Sequence, residues 1–341
     1  MRSGRRATAL SGQHQPNTFN VPMLSSLAVT VPFFALILLG YLAARRGMLS
    51  DAAVPGLNVF VLYFALPSAL FRFAMSTPLL QLLSPGVLAI YALCALLMIG
   101  LTIALTWRGA VRLKDAAFGA QVAAFPNTGY MGLPLLITLV GPAAAGTMIS
   151  TIVVDVVLTS SVCIALAQWQ EASKHGHRVA IVTALRGAVL NPLPWAIALG
   201  AASSATGLKP VGPIDAIVRM LADAATPVAL FTIGAVLWLA GRYARTRTPV
   251  SQFLPVALLK LLVHPMLVAF VGKMGQALGV EISDFEISVL TLTAALPSAS
   301  NVWALAERYG ADHGRIARII LASTLLSFLT LSGAAWLLLD R

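Results

Sequence analysis

Leu27–Ala44 and Val87–Trp107 contain no charged side chain, and each is about as long as the roughly 20 residues that a helix needs to cross a bilayer. Runs of that kind fix the solvent before anything else: much of this chain is built to lie in lipid. A composition that is 58% hydrophobic and 10% charged agrees, because soluble domains carry far more charge. Charge clusters and helix breakers divide the chain into ten expected spans, near residues 25–44, 52–74, 84–107, 116–139, 143–167, 181–203, 213–240, 250–272, 285–307 and 314–338. Cys94 and Cys163 both fall inside apolar runs, which marks them as packing residues and not as a disulfide. The net charge of +11 sits in short clusters between spans without interleaved aromatics, so it is loop charge and not a nucleic-acid surface.

Lys and Arg counted on alternate sides of the membrane give an orientation. The loops after the odd-numbered spans hold Arg45, Arg46, Arg108, Arg112, Lys114, Lys174, Arg178, Arg242, Arg245, Arg247, Arg308, Arg315 and Arg318, with Arg186 at the entrance to span six. The opposite side holds Arg72, Lys209, Arg219, Lys273 and Arg341. The richer side is expected to be cytoplasmic, which places both termini on the non-cytoplasmic side. Residues 1–22 oppose this rule with Arg2, Arg5 and Arg6 and lack an apolar stretch of their own. They read as a disordered tail, or as the product of a start upstream of Met23. The remainder divides into a first repeat at 23–167, a cytoplasmic loop at 168–180 and a second repeat at 181–341.

That division rests on internal similarity. ALPSALF (Ala65–Phe71) and ATPVALF (Ala225–Phe231) agree at five of seven positions at an offset of 160. The same offset superposes Pro32, Ile37, Leu39, Gly40 and Gly47 on Pro192, Ile197, Leu199, Gly200 and Gly207. AAFPNTG (Ala123–Gly129) in span four matches AALPSAS (Ala294–Ser300) in span nine at a slightly larger offset. Five spans per repeat is odd, so the second copy enters the membrane from the opposite face: an inverted repeat, the signature of a secondary carrier. Pro126 and Pro297 lie about ten and twelve residues inside their spans, from opposite faces, so both breaks are expected to cross near the midplane. Broken helices leave backbone donors that lipid cannot satisfy, and their N-termini favour anions. Pro126, Asn127 and Thr128 on one side and Pro297, Ser298 and Asn301 on the other are therefore candidate substrate-binding residues.

GLNVFVLYFALPSALFRF (Gly56–Phe73), PNTGYMGLPLL (Pro126–Leu136), the Asn191–Pro192 pair and ALPSASNVWALAERYG (Ala295–Gly310) are similar to the auxin efflux carrier family. That family includes plant auxin exporters and bacterial carriers assigned to malate or malonate. The resemblance runs from about Met23 to the end of the chain. It implies an all-α membrane protein of ten transmembrane helices in two inverted five-helix repeats, with broken helices four and nine crossing. Spans one, two, six and seven would form a scaffold and the others a mobile domain, with a substrate carboxylate beside the crossing. Asn127 matches the family's crossing asparagine, while Ser298 and Asn301 fall where the family varies more, and Asn191 joins the candidates through the Asn191–Pro192 pair. The implied location is a bacterial inner membrane. The long central loop of many plant members is missing.

Ionisable groups deep in a span are expensive and default to functional roles. Asp155, Asp223, Lys260 and His264 are the four such groups here. Asp155 and Lys260 would both belong to the mobile domain and are expected to pair, as a packing or a coupling device; Asp223 is expected to pair with Arg219 one turn away. His264 reads either as a proton site or as a satisfied core histidine. No His-Glu-x-x-His, paired Cys-x-x-Cys, phosphate-loop or Gly-x-Ser-x-Gly pattern occurs, so enzyme and ATP-driven pump readings lack their chemistry, and no cofactor or metal is expected. The leading reading is a secondary carrier of small organic anions, carboxylates such as malate or malonate or auxin-like acids, moving by alternating access. A proton- or sodium-coupled antiporter of crossed-helix type is the alternative, and a membrane receptor or sensor a third. The expected partners are the organic anion and the lipid bilayer, and a homodimer is compatible with the sequence.

Overall fold

In the computed structural model, residues 23–78, 82, 84–175, 182, 185–243 and 248–339 are described, and all their regular structure is helical. In chain order the helices are α1 (Met23–Arg45), α2 (Ala53–Ser76), α3 (Pro85–Thr106), α4 (Leu113–Ala124), α5 (Thr128–Val140) and α6 (Ala144–Trp169, continuing to His175). They are followed by α7 (Pro192–Thr206), α8 (Gly212–Tyr243), α9 (Val250–Ala277), α10 (Asp284–Ala295), α11 (Val302–Arg308) and α12 (His313–Leu339). Seven of them, α1, α2, α3, α6, α8, α9 and α12, are long and apolar enough to cross a membrane. The tail 1–22 and loop residues 176–180 lie outside the described residues.

Two expected spans are split. Helix α4 ends where Pro126 would have to donate to Val122, and α5 resumes at Thr128; α10 ends before Pro297, and α11 resumes at Val302. The expected span at 181–203 needs a correction. Its helix α7 begins at Pro192, because the residue before a proline is driven out of helical conformation and Asn191 is extended (φ −74°, ψ 127°). Residues 185–189 form a separate helical stretch ahead of it.

Proline also explains three wide, π-type turns, two inside longer helices and one opening α5. Val61–Ala65, Thr128–Gly132 and Leu259–Val263 each end two residues before Pro67, Pro134 and Pro265. A wider turn moves the preceding carbonyl clear of the pyrrolidine ring. The fourth such turn, Asp155–Thr159, has no proline; there the Ser160 hydroxyl donates to the Asp155 carbonyl (2.9 Å).

Helices α1 and α8 touch backbone to backbone. A side chain on Gly40 would meet the Phe231 carbonyl oxygen, and one on Gly234 would meet the Ile37 carbonyl oxygen. Helix α7 lies against α2 in the same manner, with Gly200 over the Phe71 carbonyl oxygen and the Ala74 methyl. Without a hydrophobic drive between helices in lipid, close approach at small residues is what binds them. Polar side chains such as Gln121, Asp155, Thr293 and Ser323 point into the bundle, whereas Leu38, Leu97 and Leu329 face outward.

Candidate functional site

The two helix breaks meet. Asn127 N–H donates to the Pro297 carbonyl (2.8 Å), and Ala299 N–H donates to the Phe125 carbonyl (3.0 Å), so Pro126 and Ser298 form a one-rung antiparallel bridge. The carbonyl orphaned by Pro126, that of Val122, accepts from the Ser298 hydroxyl (2.7 Å), while Ser298 N–H donates to Ser323 Oγ (3.2 Å). The Asn127 carbonyl accepts from Met131 N–H (3.2 Å) and Gly132 N–H (2.9 Å). The breaks thus satisfy much of each other's backbone, which narrows the expectation of free donors. At the crossing itself, the Asn127 carboxamide, the buried Thr128 hydroxyl, and the Ser300 and Asn301 N–H groups ahead of α11 stay unpaired among the described residues.

The crossing separates two cavities. The larger, about 990 Å³, is lined by Asn58 near the start of α2, Val236 and Leu239 late in α8, and Ser300, Asn301 and Trp303 around the start of α11. The smaller, about 450 Å³, is lined by Ala69 and Arg72 late in α2, Asp223 and Thr226 early in α8, and Gly129 and Pro134 of α5. Both run along α2 and α8, from opposite ends. The wide turn Thr128–Gly132 stands between them: Tyr130 donates its hydroxyl to Asn58 Oδ1 (2.8 Å), and Gly129 lies against Leu66. Trp303 Nε1–H is buried without an acceptor in the wall of the larger cavity. Its carboxylates are mostly engaged: Asp115 receives Arg112 Nε (3.1 Å) and Asp312 N–H (2.8 Å), and Asp51 receives Arg242 (3.3 Å).

Lys260 and His264 share one face of α9 as their spacing predicts, and both are fully buried. The expected Asp155–Lys260 ion pair is not formed. Lys260 Nζ donates instead to the Ala294 carbonyl (2.6 Å), three residues before Pro297, and lies 3.2 Å from His264 Nδ1. Ala294 sits in the last turn of α10, where carbonyls lack helical partners, so the ammonium caps a half-helix. The Asp155 carboxylate accepts from Tyr91 (3.1 and 3.3 Å) and Thr159 (3.3 Å), and the Tyr91 ring lies 6.2 Å from that of His264. The four groups form one buried cluster, linked from Asp155 through Tyr91 and His264 to Lys260. His264 Nε2 has no partner.

The expected Asp223–Arg219 pair is also absent. Arg219 bonds Asp215 one turn in the other direction (2.7 Å), and Asp215 binds Arg72 of α2 as well (2.7 Å). Asp223 is left exposed in the smaller cavity. Asn191 uses its carboxamide oxygen to cap α7 through Leu193 N–H (3.0 Å), so a local structural role accounts for it. Arg315, which reads as loop charge, is 1% exposed and donates to the Gln252 and Asp115 carbonyls (2.9 Å each).

Comparison with known proteins places this arrangement. A relative named "Putative malonate transporter" from Rhizobium meliloti (strain 1021) is 29% identical over 322 residues, covering 93% of this chain and 97% of its own length. An "Uncharacterized transporter" from Methanothermobacter thermautotrophicus is 26% identical over 310 residues, covering 90% of this chain and 97% of its own. The transporter YfdV of Escherichia coli K12 is 24% identical over 322 residues, covering 91% and 96%. The family described as "Membrane transport protein" matches residues 26–334, nearly the whole described helical body, and the chain therefore belongs to that family of multi-pass membrane transporters.

Proposed function

We propose that this transporter is a secondary carrier that moves small organic anions, dicarboxylates of the size of malonate or malate among them, by alternating access at the crossing of its two helix breaks. In that reading α4–α5 and α10–α11 are single broken spans, and the helices make ten spans in two inverted five-helix repeats, 23–167 and 181–341. The observation that carries it is the unpartnered Asn127 carboxamide, which lines neither cavity but immediately precedes the Thr128–Gly132 turn that stands between the two, entering from opposite ends of α2 and α8. A carboxylate in the larger cavity has donors in its wall, Asn301, the N–H groups before α11 and Trp303 Nε1, while Asn127 and Thr128 lie buried at the crossing behind that wall and become donors when the crossing shifts. Pro126 and Pro297 create the break, and Ser298 braces it through its own bonds.

The packing supports the repeat. Gly40 over the Phe231 carbonyl and Gly200 over the Phe71 carbonyl are the same contact at the 160-residue offset, exchanged between halves. Gly47 and Gly207 end their helices at the same φ of +71°. Both cavities follow α2 and α8, which suits a scaffold of α1, α2, α7 and α8 against which the crossing shifts. The relative named for malonate supports a dicarboxylate. Proton coupling is a second reading, favoured by the bond from Lys260 to Ala294: the proton content of that ammonium reaches the break directly.

Proteoliposomes screened for uptake of labelled mono- and dicarboxylates, with and without a pH gradient, test both readings. Saturable carboxylate uptake is expected, without uptake of the corresponding diamides. Uptake of no carboxylate by correctly inserted protein would exclude the organic-anion reading, and indifference to the pH gradient would exclude proton coupling.

A further inference from the structure

A third cavity, of about 590 Å³, lies between the C-terminal end of α3 and the N-terminal end of α9, away from the crossing. Arg108, Ser251, Gln252 and Arg315 line the end nearest the helix termini. Leu105, Leu258 and Leu262 line its length and are 48%, 40% and 46% exposed on the apolar outer face. No carboxylate is among its lining residues, in contrast to the larger cavity with Asp51, Asp115, Glu307 and Asp312.

Its two cations have unspent capacity. Arg108 is exposed, with no side-chain partner among the described residues. Arg315 is 1% exposed and fixed by its bonds from Nε and Nη1; its Nη2 is buried against Gly119 of α4 without an acceptor, so Arg315 contributes its charge behind the groove wall while Arg108 is free to bond a headgroup directly. A buried guanidinium nitrogen left unbonded costs free energy unless something accepts from it. The Ser251 hydroxyl and the opening turn of α9 add donors and a favourable helix dipole at the same end. A polar end lined by two cations and no carboxylate, continuous with an apolar trough that opens on the lipid face, matches one kind of molecule.

We propose that this groove binds an anionic phospholipid, its phosphate held by Arg108, Arg315 and the first turn of α9, and an acyl chain laid along Leu105, Leu258 and Leu262. Basic recesses between membrane helices near the headgroup level are suited to such lipids. Because Arg315 also ties α12 to the start of α4 and to α9, an occupied groove steadies three helix starts at once.

The test uses the purified full-length chain in neutral detergent, with melting temperature followed while phosphatidylglycerol, phosphatidylcholine or inorganic phosphate is titrated in. Phosphatidylglycerol should raise the melting temperature saturably, and the other two should not. Arg108→Gln, which disturbs no bond of the fold, should raise the phosphatidylglycerol concentration for half-effect roughly fivefold, the worth of one interfacial cation. Native mass spectrometry should show fewer phosphatidylglycerol molecules retained by the same variant. Equal stabilisation by phosphatidylcholine would reduce the groove to an apolar surface. Equal stabilisation by phosphate would make it a site for a free anion. An unchanged Arg108→Gln response would place the headgroup elsewhere. Any of these three results overturns the proposal.

Discussion

Lys260 shows how far single residues could be read from the sequence. An ammonium in mid-span announces itself, and so does the i,i+4 relation to His264. Its partner does not. Asp155 was the obvious counter-charge, but the ammonium goes to the Ala294 carbonyl, an acceptor that exists because Pro297 ends α10. Carbonyls look alike in a sequence, so a charge that caps a broken helix is invisible until the break has a place. Tyr91 and Trp303 escaped notice for a related reason, since an aromatic residue in an apolar span is unremarkable until its polar atom is found buried. Arg219 had a carboxylate one turn away on each side, and spacing alone did not choose Asp215 over Asp223. The geometry now predicts that Lys260→Met lowers stability by about 1–3 kcal/mol, the loss expected when a buried carbonyl is left unpaired. Adding Asp155→Asn should not restore it, because the lost bond did not involve Asp155. Melting temperatures of the two single variants and the double variant decide this; recovery in the double would mean that the charges stabilise each other after all.

At the scale of elements, the prolines and glycines were the legible part. Pro126 and Pro297 placed both breaks, whereas the matched glycines Gly40 and Gly200 marked only the repeat, and their role in the tight contacts of α1 with α8 and of α7 with α2 shows in the structure alone. The beginning of α7 was misjudged because hydrophobicity continues through residues 185–190, while the Asn191–Pro192 pair imposes a local stop that composition does not register. The wide turns went unread because a proline inside a span signals a disturbance, not how the helix absorbs it. Glycine contacts make a sharp comparison. Gly40→Val must push α1 off the Phe231 carbonyl and should lower stability by about 1–3 kcal/mol, as overpacking does. Gly200→Val, at the corresponding contact of α7, should behave alike. Gly100→Ala, on α3 with nothing nearby, should stay within about 0.5 kcal/mol of the parent. Thermal melts of the three variants in one detergent test whether the exchanged contacts of the two halves carry similar weight.

For the whole molecule, charge distribution and internal symmetry carry the proposed topology, and both can be examined from outside. Cys94 and Cys163 are buried and free, so replacing them with Ala gives a background for single labels. Met48 and Leu208 are 76% and 75% exposed, in the loops after the first and sixth spans. In intact cells a membrane-impermeant thiol reagent should label Leu208→Cys and spare Met48→Cys, since the loop after span one is assigned to the cytoplasm. The reverse pattern would invert the orientation, and labelling of both would break the span count. The central claim is that the crossing binds the transported anion, and substituting Asn127 tests it most directly. Its carboxamide bonds to nothing in the fold, so Asn127→Ala should melt within about 1–2 °C of the parent, a shift well below 1 kcal/mol. Loss of a hydrogen bond to a charged carboxylate is worth about 1.5–3 kcal/mol, so initial carboxylate uptake into proteoliposomes should fall roughly 10- to 100-fold. Parent-level uptake by a well-inserted Asn127→Ala protein would contradict the account and move the site away from the crossing.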